Sequence, residues 1–306
     1  MSELYNIIRP SKIKPYNGFI FLCGGTICGS QPQMPASIRD AIYNKLSTQS
    51  RLINRIRIAE DYKDWNYESI YNDLISFEKH IAELSSVIVL VLESPGSLAE
   101  LGLFSALAEY QNKLLVVIET KHYDSSSFVR LGPITFLEND RQNIAECHEW
   151  KKEELKGEVL VHAKMLEAAE LVVESLEERL SHETSEVFSC SRWLHQSLLV
   201  CDILNLYSAL TLREVLSLLN GFCNGISESE LKQTLRVLDL VDLVKIQPKG
   251  AQRFYISNTP DLFIEYNVLV ELHDHNIFRA TMLDLYRRDE KKRFLAIQEA
   301  RKHAGF

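Results

Sequence analysis

Two glycine-marked segments carry residue types able to do chemistry. FLCGGT at 21–26 runs an apolar stretch into Gly24 and Gly25, and backbone without side chains lets a ligand come close at the end of a strand. The segment lacks the third glycine of a dinucleotide fingerprint and the Gly-Lys-Ser of a phosphate loop, so it supports neither a Rossmann oxidoreductase nor an ATPase. Taken alone it is equally a tight turn. ESPGSLAELG at 93–102 follows an uninterrupted apolar run and opens a helical pattern. In open α/β sheets, ligands gather outside the carboxyl ends of the strands, and a helix N-terminus offers unpaired N–H groups to a phosphate or carboxylate. Glu100 falls about one turn into that helix, as a carboxylate at a cleft edge or as a residue answering the helix dipole.

More acids fall where the same cleft is expected: Glu60 and Asp61 after a second strand, Glu78 on a helix, and Glu93 at the end of the apolar run. Cleavage of a glycosidic bond needs such a set. One carboxylate attacks or stabilises an oxocarbenium-like sugar carbon, and another protonates the leaving group or holds hydroxyls. Each acid singly is an ordinary surface residue; four of them with a Gly-Gly turn form a candidate site.

The elements that must position these residues alternate. Apolar runs at 18–23, 57–59, 87–92 and 114–118 predict strands, and periodic apolar residues predict helices over 36–53, 67–84 and 98–110. This is the pattern of a doubly wound, flavodoxin-like parallel sheet. A long acidic amphipathic stretch over 151–183 predicts a connecting helix with a solvated face. The second half is expected to be helical apart from one hairpin. Helices over 211–222 and 227–244, the latter opened by a Ser227/Glu230 capping box, precede β segments around a Pro-Lys-Gly turn at 248–250. Helix, helix and β-wing in that order match a mainly helical winged-helix domain. The expected division is a catalytic domain over 1–150, a connecting helix over 151–189 and the winged helix over 190–306.

With 306 residues, 46% hydrophobic and 25% charged, the chain lies outside the disordered, collagen and coiled-coil classes. Its net charge of −8 gives no bulk attraction to nucleic acid or anionic membranes, so either partner needs a local patch. The N-terminal residues show no secretory h-region and no run reaches the roughly 18 apolar residues of a membrane span, so a cytoplasmic protein without a membrane partner is expected. The six cysteines, at 23, 28, 147, 190, 201 and 223, form no CxxC pair. They read as reduced buried thiols, with no metal and no cofactor expected. In the winged-helix half, Lys232, Arg236, Lys249 and Arg253 are candidates for phosphate contacts or for docking a protein partner. The stretch over 286–303 is rich in Lys and Arg, as a patch for nucleic acid or an acidic partner or as a solvated helix.

The strand with Gly-Gly, the apolar strand and the Gly-Ser-x-x-Glu-Leu-Gly element together resemble the nucleoside 2-deoxyribosyltransferase superfamily. More closely, FLCGG at 21–25, LISFE at 74–78, ESPGSLAELGLFS at 93–105 and SFVRLGP at 127–133 resemble the deoxyribosyltransferase-like effectors of retrons, which also carry a C-terminal winged helix. The resemblance implies an N-glycosidase toxin with Glu100 as nucleophile at the sugar C1′ and NAD or a deoxynucleotide as substrate. Gly24, Gly25, Asp61, Glu78, Glu93, Ser94 and Ser97 then hold the substrate. It also implies partners: a retron reverse transcriptase with its RNA–DNA hybrid (msDNA), in a homo-oligomer or larger complex, and release of the toxin on phage infection. The chain departs from deoxyribosyltransferases in having Ser85-Ser86 where they carry an aspartate, and in placing Glu93 seven rather than six residues before the nucleophile. A different class of function also fits, a winged-helix regulator whose α/β domain senses a nucleotide without cleaving it.

Overall fold

Strands buried on both faces carry apolar side chains at successive rather than alternate positions, and three runs of the chain do so. A two-residue strand, β1 (Lys12–Ile13), belongs to a second sheet; β2 (Phe19–Cys23) is the first of the three, and is buried throughout. β4 (Ser85–Val91) and β5 (Leu114–Glu119) are buried almost as fully. The computed structural model describes residues 11–28, 34–141, 143–150, 157–181, 185–266 and 275–303. In it these strands pair in parallel with β3 (Ile56–Arg57) and β6 (Glu146–His148), in the order β3-β2-β4-β5-β6. The α/β architecture and parallel sheet expected from the sequence are present; β6, only three residues of mixed polarity, carried no strand signal.

One face of the sheet, with Ile20, Leu22, Val89, Val91 and Val117, packs on α1 (Ile38–Ser47) and α7 (Glu158–Ser181). α1 contributes Ile38, Ile42 and Leu46, and α7 contributes Ala168, Val172 and Leu176, so the long acidic helix drives an apolar stripe into this core. The alternate residues Ile88, Leu90, Val116 and Ile118 point to the other face and are equally buried. At about 2 kcal/mol for each fully buried aliphatic side chain, this layer is the main source of the unit's stability.

Three expected helices are shorter than their apolar periods, and the one over 36–53 is helical only from Ile38 to Ser47, where Thr48 caps it. The period over 67–84 resolves into a 3-10 turn at Tyr67–Ser69, with positive φ at Glu68 and Ser69, and then α2 (Leu74–Leu84). The period over 98–110 breaks at extended Leu107, giving α3 (Pro95–Ser105) and α4 (Ala108–Gln111). α5 (Thr120–Tyr123) and α6 (Thr135–Arg141), the latter entered through a π turn at Arg130–Ile134, lie between β5 and β6.

The chain divides into two compact units, and neither is continuous in sequence. The parallel sheet lies in residues 17–63 and 81–183; residues 1–16, 64–80 and 184–306 form the other. The second unit holds a small antiparallel sheet, β10-β1-β7, of β1 with β7 (Glu186–Val187) and β10 (Ile264–Glu265). Its helices are α8 (Trp193–Tyr207), α9 (Leu212–Phe222), α10 (Glu228–Leu240), α11 (His275–Asp289) and α12 (Lys291–His303). The Ser227/Glu230 capping box opens α10 as the spacing predicts. The hairpin of β8 (Val244–Lys249) and β9 (Gln252–Ser257) turns at Gly250-Ala251 rather than at Pro-Lys-Gly. Gly250 supplies the positive φ of 62° that the turn needs, while Pro248 sits in the strand opposite Arg253. Phe254, Ile256, Tyr286 and Ile297 form the core beside this hairpin.

The reading of six reduced buried thiols is corrected here. Cys190 and Cys223 form a disulfide and Cys28 is exposed. The two cysteines lie 33 residues apart, and only tertiary packing, not spacing, brings them together. No helix of the described residues is long and apolar enough to cross a membrane.

Buried Asp202 on α8 accepts hydrogen bonds from Phe263 N at 2.7 Å, Ile264 N at 3.0 Å and Tyr266 Oη at 2.9 Å. Burial outweighs these donors and pushes its pKa up to about 7. Asp202→Ala leaves one buried and two partly buried donors without an acceptor, and is expected to cost about 3 kcal/mol in urea denaturation; a loss under about 1 kcal/mol would show that water replaces the carboxylate.

Candidate active site

In a parallel sheet with this strand order, the crevice opens where the order reverses, between the carboxyl ends of β2 and β4. Gly24-Gly25 follows β2 there, and Glu93 stands just beyond β4. A Cβ on Gly24 would lie 2.9 Å from Val91 Cβ, and one on Gly25 would lie 2.8 Å from Glu93 Oε1. Both glycines are therefore required by close approach.

The Glu93 carboxylate is engaged by the backbone. It accepts from Gly25 N at 3.0 Å, Ile38 N at 3.1 Å and Arg39 N at 3.0 Å. It thereby fixes the glycine turn and caps the first turn of α1, where its charge also suits the helix dipole. Ser94 and Ser97 are similarly occupied. Ser94 is the N-cap of α3, accepting from Ser97 N at 3.1 Å and donating to Gly24 O at 3.2 Å, and buried Ser97 donates back to Ser94 O at 2.9 Å. The structure thus gives Glu93, Ser94 and Ser97 internal partners that shape the loop between β4 and α3.

A residue that sequence reasoning missed stands at the centre. Arg39 projects from α1 and is 3% exposed. Its Nε donates to Leu22 O at 3.0 Å, one terminal nitrogen to Gly25 O at 2.9 Å, and both terminal nitrogens to the Glu60 carboxylate at 2.7 Å. This bidentate pair lowers the Glu60 pKa. Glu100, half-buried on α3, accepts from the Cys23 thiol and lies in the field of Arg39. Burial raises its pKa above the ordinary carboxylate value; Arg39 and the thiol work against that rise and Glu60 adds to it. The result is a carboxylate with few solvating partners at the mouth of the sheet, beside a fixed guanidinium. Such a group can act as a nucleophile or steady a developing positive charge.

Other candidates lie elsewhere. Asp61 is exposed and accepts from Ile58 N at 3.4 Å, within its own 3-10 turn. Glu78, half-buried on α2, belongs to the other unit. The sequence reading passed over Glu119, fully buried as the last residue of β5, with His122 Nε2 3.8 Å from its carboxylate. A single acid ending the otherwise apolar LLVVIE was the signal. The SFVRLGP stretch supplies Arg130, which pairs with Glu138 at 2.9 Å and stacks on Tyr123 at 4.1 Å.

In the other unit, each of the four candidate cations has an internal carboxylate. Lys232 pairs with Glu228 at 2.6 Å and Arg236 with Asp239 at 3.4 Å. Lys249 pairs with Glu299, and Arg253 grips Glu68 through two bonds at 2.8 and 2.6 Å.

Comparison with known proteins adds a family to this geometry. The model of a family described as STM3845 retron effector protein matches residues 35–246. An Escherichia coli protein of retron Ec86, whose name gives it a provisional ribosyltransferase/DNA-binding role, is 27% identical over 193 residues. Its counterpart in retron Ec73, also from Escherichia coli, is 28% identical over 157 residues. The matches cover 61% and 49% of this chain, and span 61% and 48% of the length of those relatives.

Two outcomes test the geometry. Glu93→Ala is expected to reduce hydrogen-exchange protection of the Gly25, Ile38 and Arg39 amides by about 10- to 100-fold while leaving β5 protected, as three charge-assisted bonds are lost; unchanged protection at those amides would refute the anchoring role. Glu100 has a folded pKa above its unfolded value, so ionising it opposes folding as pH rises through the folded pKa. Glu100→Gln should therefore melt higher than the wild type at about pH 7.5 and lose that advantage near pH 4. A difference in melting temperature that is constant with pH would contradict it.

Proposed function

The chain belongs to this retron effector family, and from that premise and the geometry at Glu100 we propose that it is an antiphage toxin, an N-glycosidase that cleaves NAD or a deoxynucleotide. The observation that carries the reading is the Glu100 carboxylate at the reversal of strand order, raised in pKa by burial and set beside Arg39. Names of the relatives point to ribosyl transfer and DNA binding, and both roles have a counterpart in this proposal.

The steps follow from the residues. Gly24 and Gly25 bring main chain to the crevice by making way for Val91, Arg39 and Glu93, and the Gly96 N–H in the exposed first turn of α3 is offered to a phosphate or ribose oxygen. One Glu100 oxygen attacks C1′ as the C1′–N bond breaks, and the bonding electrons leave with the base. Nicotinamide departs as a neutral ring from a cationic one, so NAD needs no general acid. A deoxynucleotide does need a proton, and Asp61, in the same unit as Glu100, is the proposed source. Water then attacks C1′, giving the free sugar hydroxyl, a proton and the regenerated carboxylate. Arg39 keeps Glu100 ionised and aimed while bound to Glu60.

The second half is proposed to be a winged helix, α9, α10 and the β8–β9 wing, that docks the reverse transcriptase and its RNA–DNA hybrid (msDNA). In such a complex, oligomeric and cytoplasmic, the toxin is restrained until infection. Its outward cations are already paired, and surface pairs contribute only about 0–1 kcal/mol each, so phosphates can displace them.

The deciding experiment follows base release chromatographically from NAD and from deoxynucleotides, using wild type and Glu100→Gln, free and co-expressed with the reverse transcriptase. Release is expected to fall on the order of 10³-fold or more in Glu100→Gln. In the wild type it should decline as pH drops, beginning above the ordinary carboxylate range because the nucleophile must be ionised. Absence of release in every preparation would overturn the proposal.

A further inference from the structure

The charged C-terminal stretch has a feature unrelated to the glycine-loop site. A cavity of about 560 Å³ lies in the second unit between the end of α8, the hairpin and α11–α12, within the size range of small-ligand sites. Leu204, Ile256 and Ile297 line one part of it, and Lys245, Arg279 and Arg301 another. Lys245 is paired with Asp242, and Asp261 draws the Arg279 pKa up. Burial and the like charge of Arg301 nonetheless lower it on balance. Two guanidiniums lining one cavity repel, and an anion bound there offsets the repulsion.

Two polar atoms in the same wall lack partners. Ser208 Oγ and Asn205 Oδ1 are buried and have no hydrogen-bond partner among the described residues, although Asn205 Nδ2 donates to Thr259 O at 2.7 Å. Both residues are more than nine-tenths buried and line the cavity. Ser208 is also strained. Its φ of 63° and ψ of −41°, with Ala209 N donating to Tyr207 O at 2.7 Å, make a γ-turn of the rare positive-φ kind. Strain of this kind in a non-glycine residue concentrates at ligand sites.

We propose that this cavity binds a nucleoside phosphate, with Arg279 and Arg301 on the phosphate. The Ser208 hydroxyl and Asn205 Oδ1, sealed from solvent in this structure, turn outward, the first to donate to the phosphate and the second to accept from a sugar hydroxyl or base amino group. The apolar wall takes the base or sugar face. The four cations singled out by sequence are tied to carboxylates, whereas no ion pair engages Arg279 or Arg301 among the described residues. The same phosphate chemistry is offered by a free mononucleotide and by the 5′ end of a strand.

The test is calorimetric titration of the full chain with AMP, GMP, CMP and UMP, with adenosine as control, and with a 5′-phosphorylated DNA oligonucleotide and its dephosphorylated form. A free nucleotide is expected to bind with a dissociation constant below about 1 mM, and adenosine at least tenfold more weakly. Arg279→Gln with Arg301→Gln should lose binding at least tenfold, and Glu100→Gln should keep it, which separates this cavity from the proposed catalytic site. Ser208→Gly relieves the strained turn, so it should melt higher yet bind more weakly, a combination that a purely structural role for Ser208 would not give. Binding of the phosphorylated oligonucleotide alone, lost in the arginine variants, assigns the cavity to a strand end. No phosphorylated probe binding at millimolar concentration, or binding indifferent to the phosphate or to the arginines, overturns the proposal.

Discussion

One carboxylate holds together the carboxyl end of the parallel sheet. Glu93 leaves β4 and reaches the backbone of two other segments, the turn after β2 and the first turn of α1. Without it, three N–H groups at the mouth of the sheet would need water, and the glycine turn would have no reason to keep its shape. With it, Gly25 must remain glycine, because the carboxylate occupies the space a side chain would take. The start of α1 is fixed as well, and with it the place of Arg39. That guanidinium in turn fixes Glu60 and sets the field at Glu100. A chain of contacts thus runs from one glutamate to the half-buried carboxylate of Glu100.

The layer of apolar strands was legible because burial on both faces writes itself as consecutive apolar residues, as in VIVLV of β4. The glycine turn and the acids at the strand ends were legible from their place just after the apolar runs. Their division of labour was not. Glu93, Ser94 and Ser97 look like ligand groups in a motif, yet the structure turns them inward onto the backbone. Arg39 looks like an ordinary polar residue on an amphipathic helix; it becomes central only because α1 lies against the sheet with that position facing the Gly-Gly turn. Helix ends were misjudged at Tyr67–Ser69 and Leu107 because side-chain period does not report the backbone strain or extended residue that interrupts it. The Cys190–Cys223 bond and the strands β1, β7 and β10, two residues each, rest on contacts between distant segments and leave no local trace.

In the second unit, charge and availability part company. The winged-helix reading favours the cations of α10 and the hairpin. Pairing reverses that preference, since each spends its charge on a neighbouring carboxylate. Arg301, in the stretch that reads as a solvated helix, and Arg279, ahead of that stretch, keep theirs. A patch defined by sequence composition is therefore a poor guide to where an anion would be held, and the geometry of the remaining acids decides it.

The interleaving of the two units bears on the order in which the protein is made. All residues of the parallel-sheet unit have emerged from the ribosome once residue 183 is out, whereas the second unit waits for residues beyond 184. The half carrying Glu100 and Arg39 can therefore close around its sheet while the half holding Arg279 and Arg301 is still being synthesised. For a chain whose first-finished part is the proposed source of toxicity, restraint that depends on the later part arrives late. Safety during synthesis then has to come from slow closure of the site or from a partner already waiting at the nascent chain.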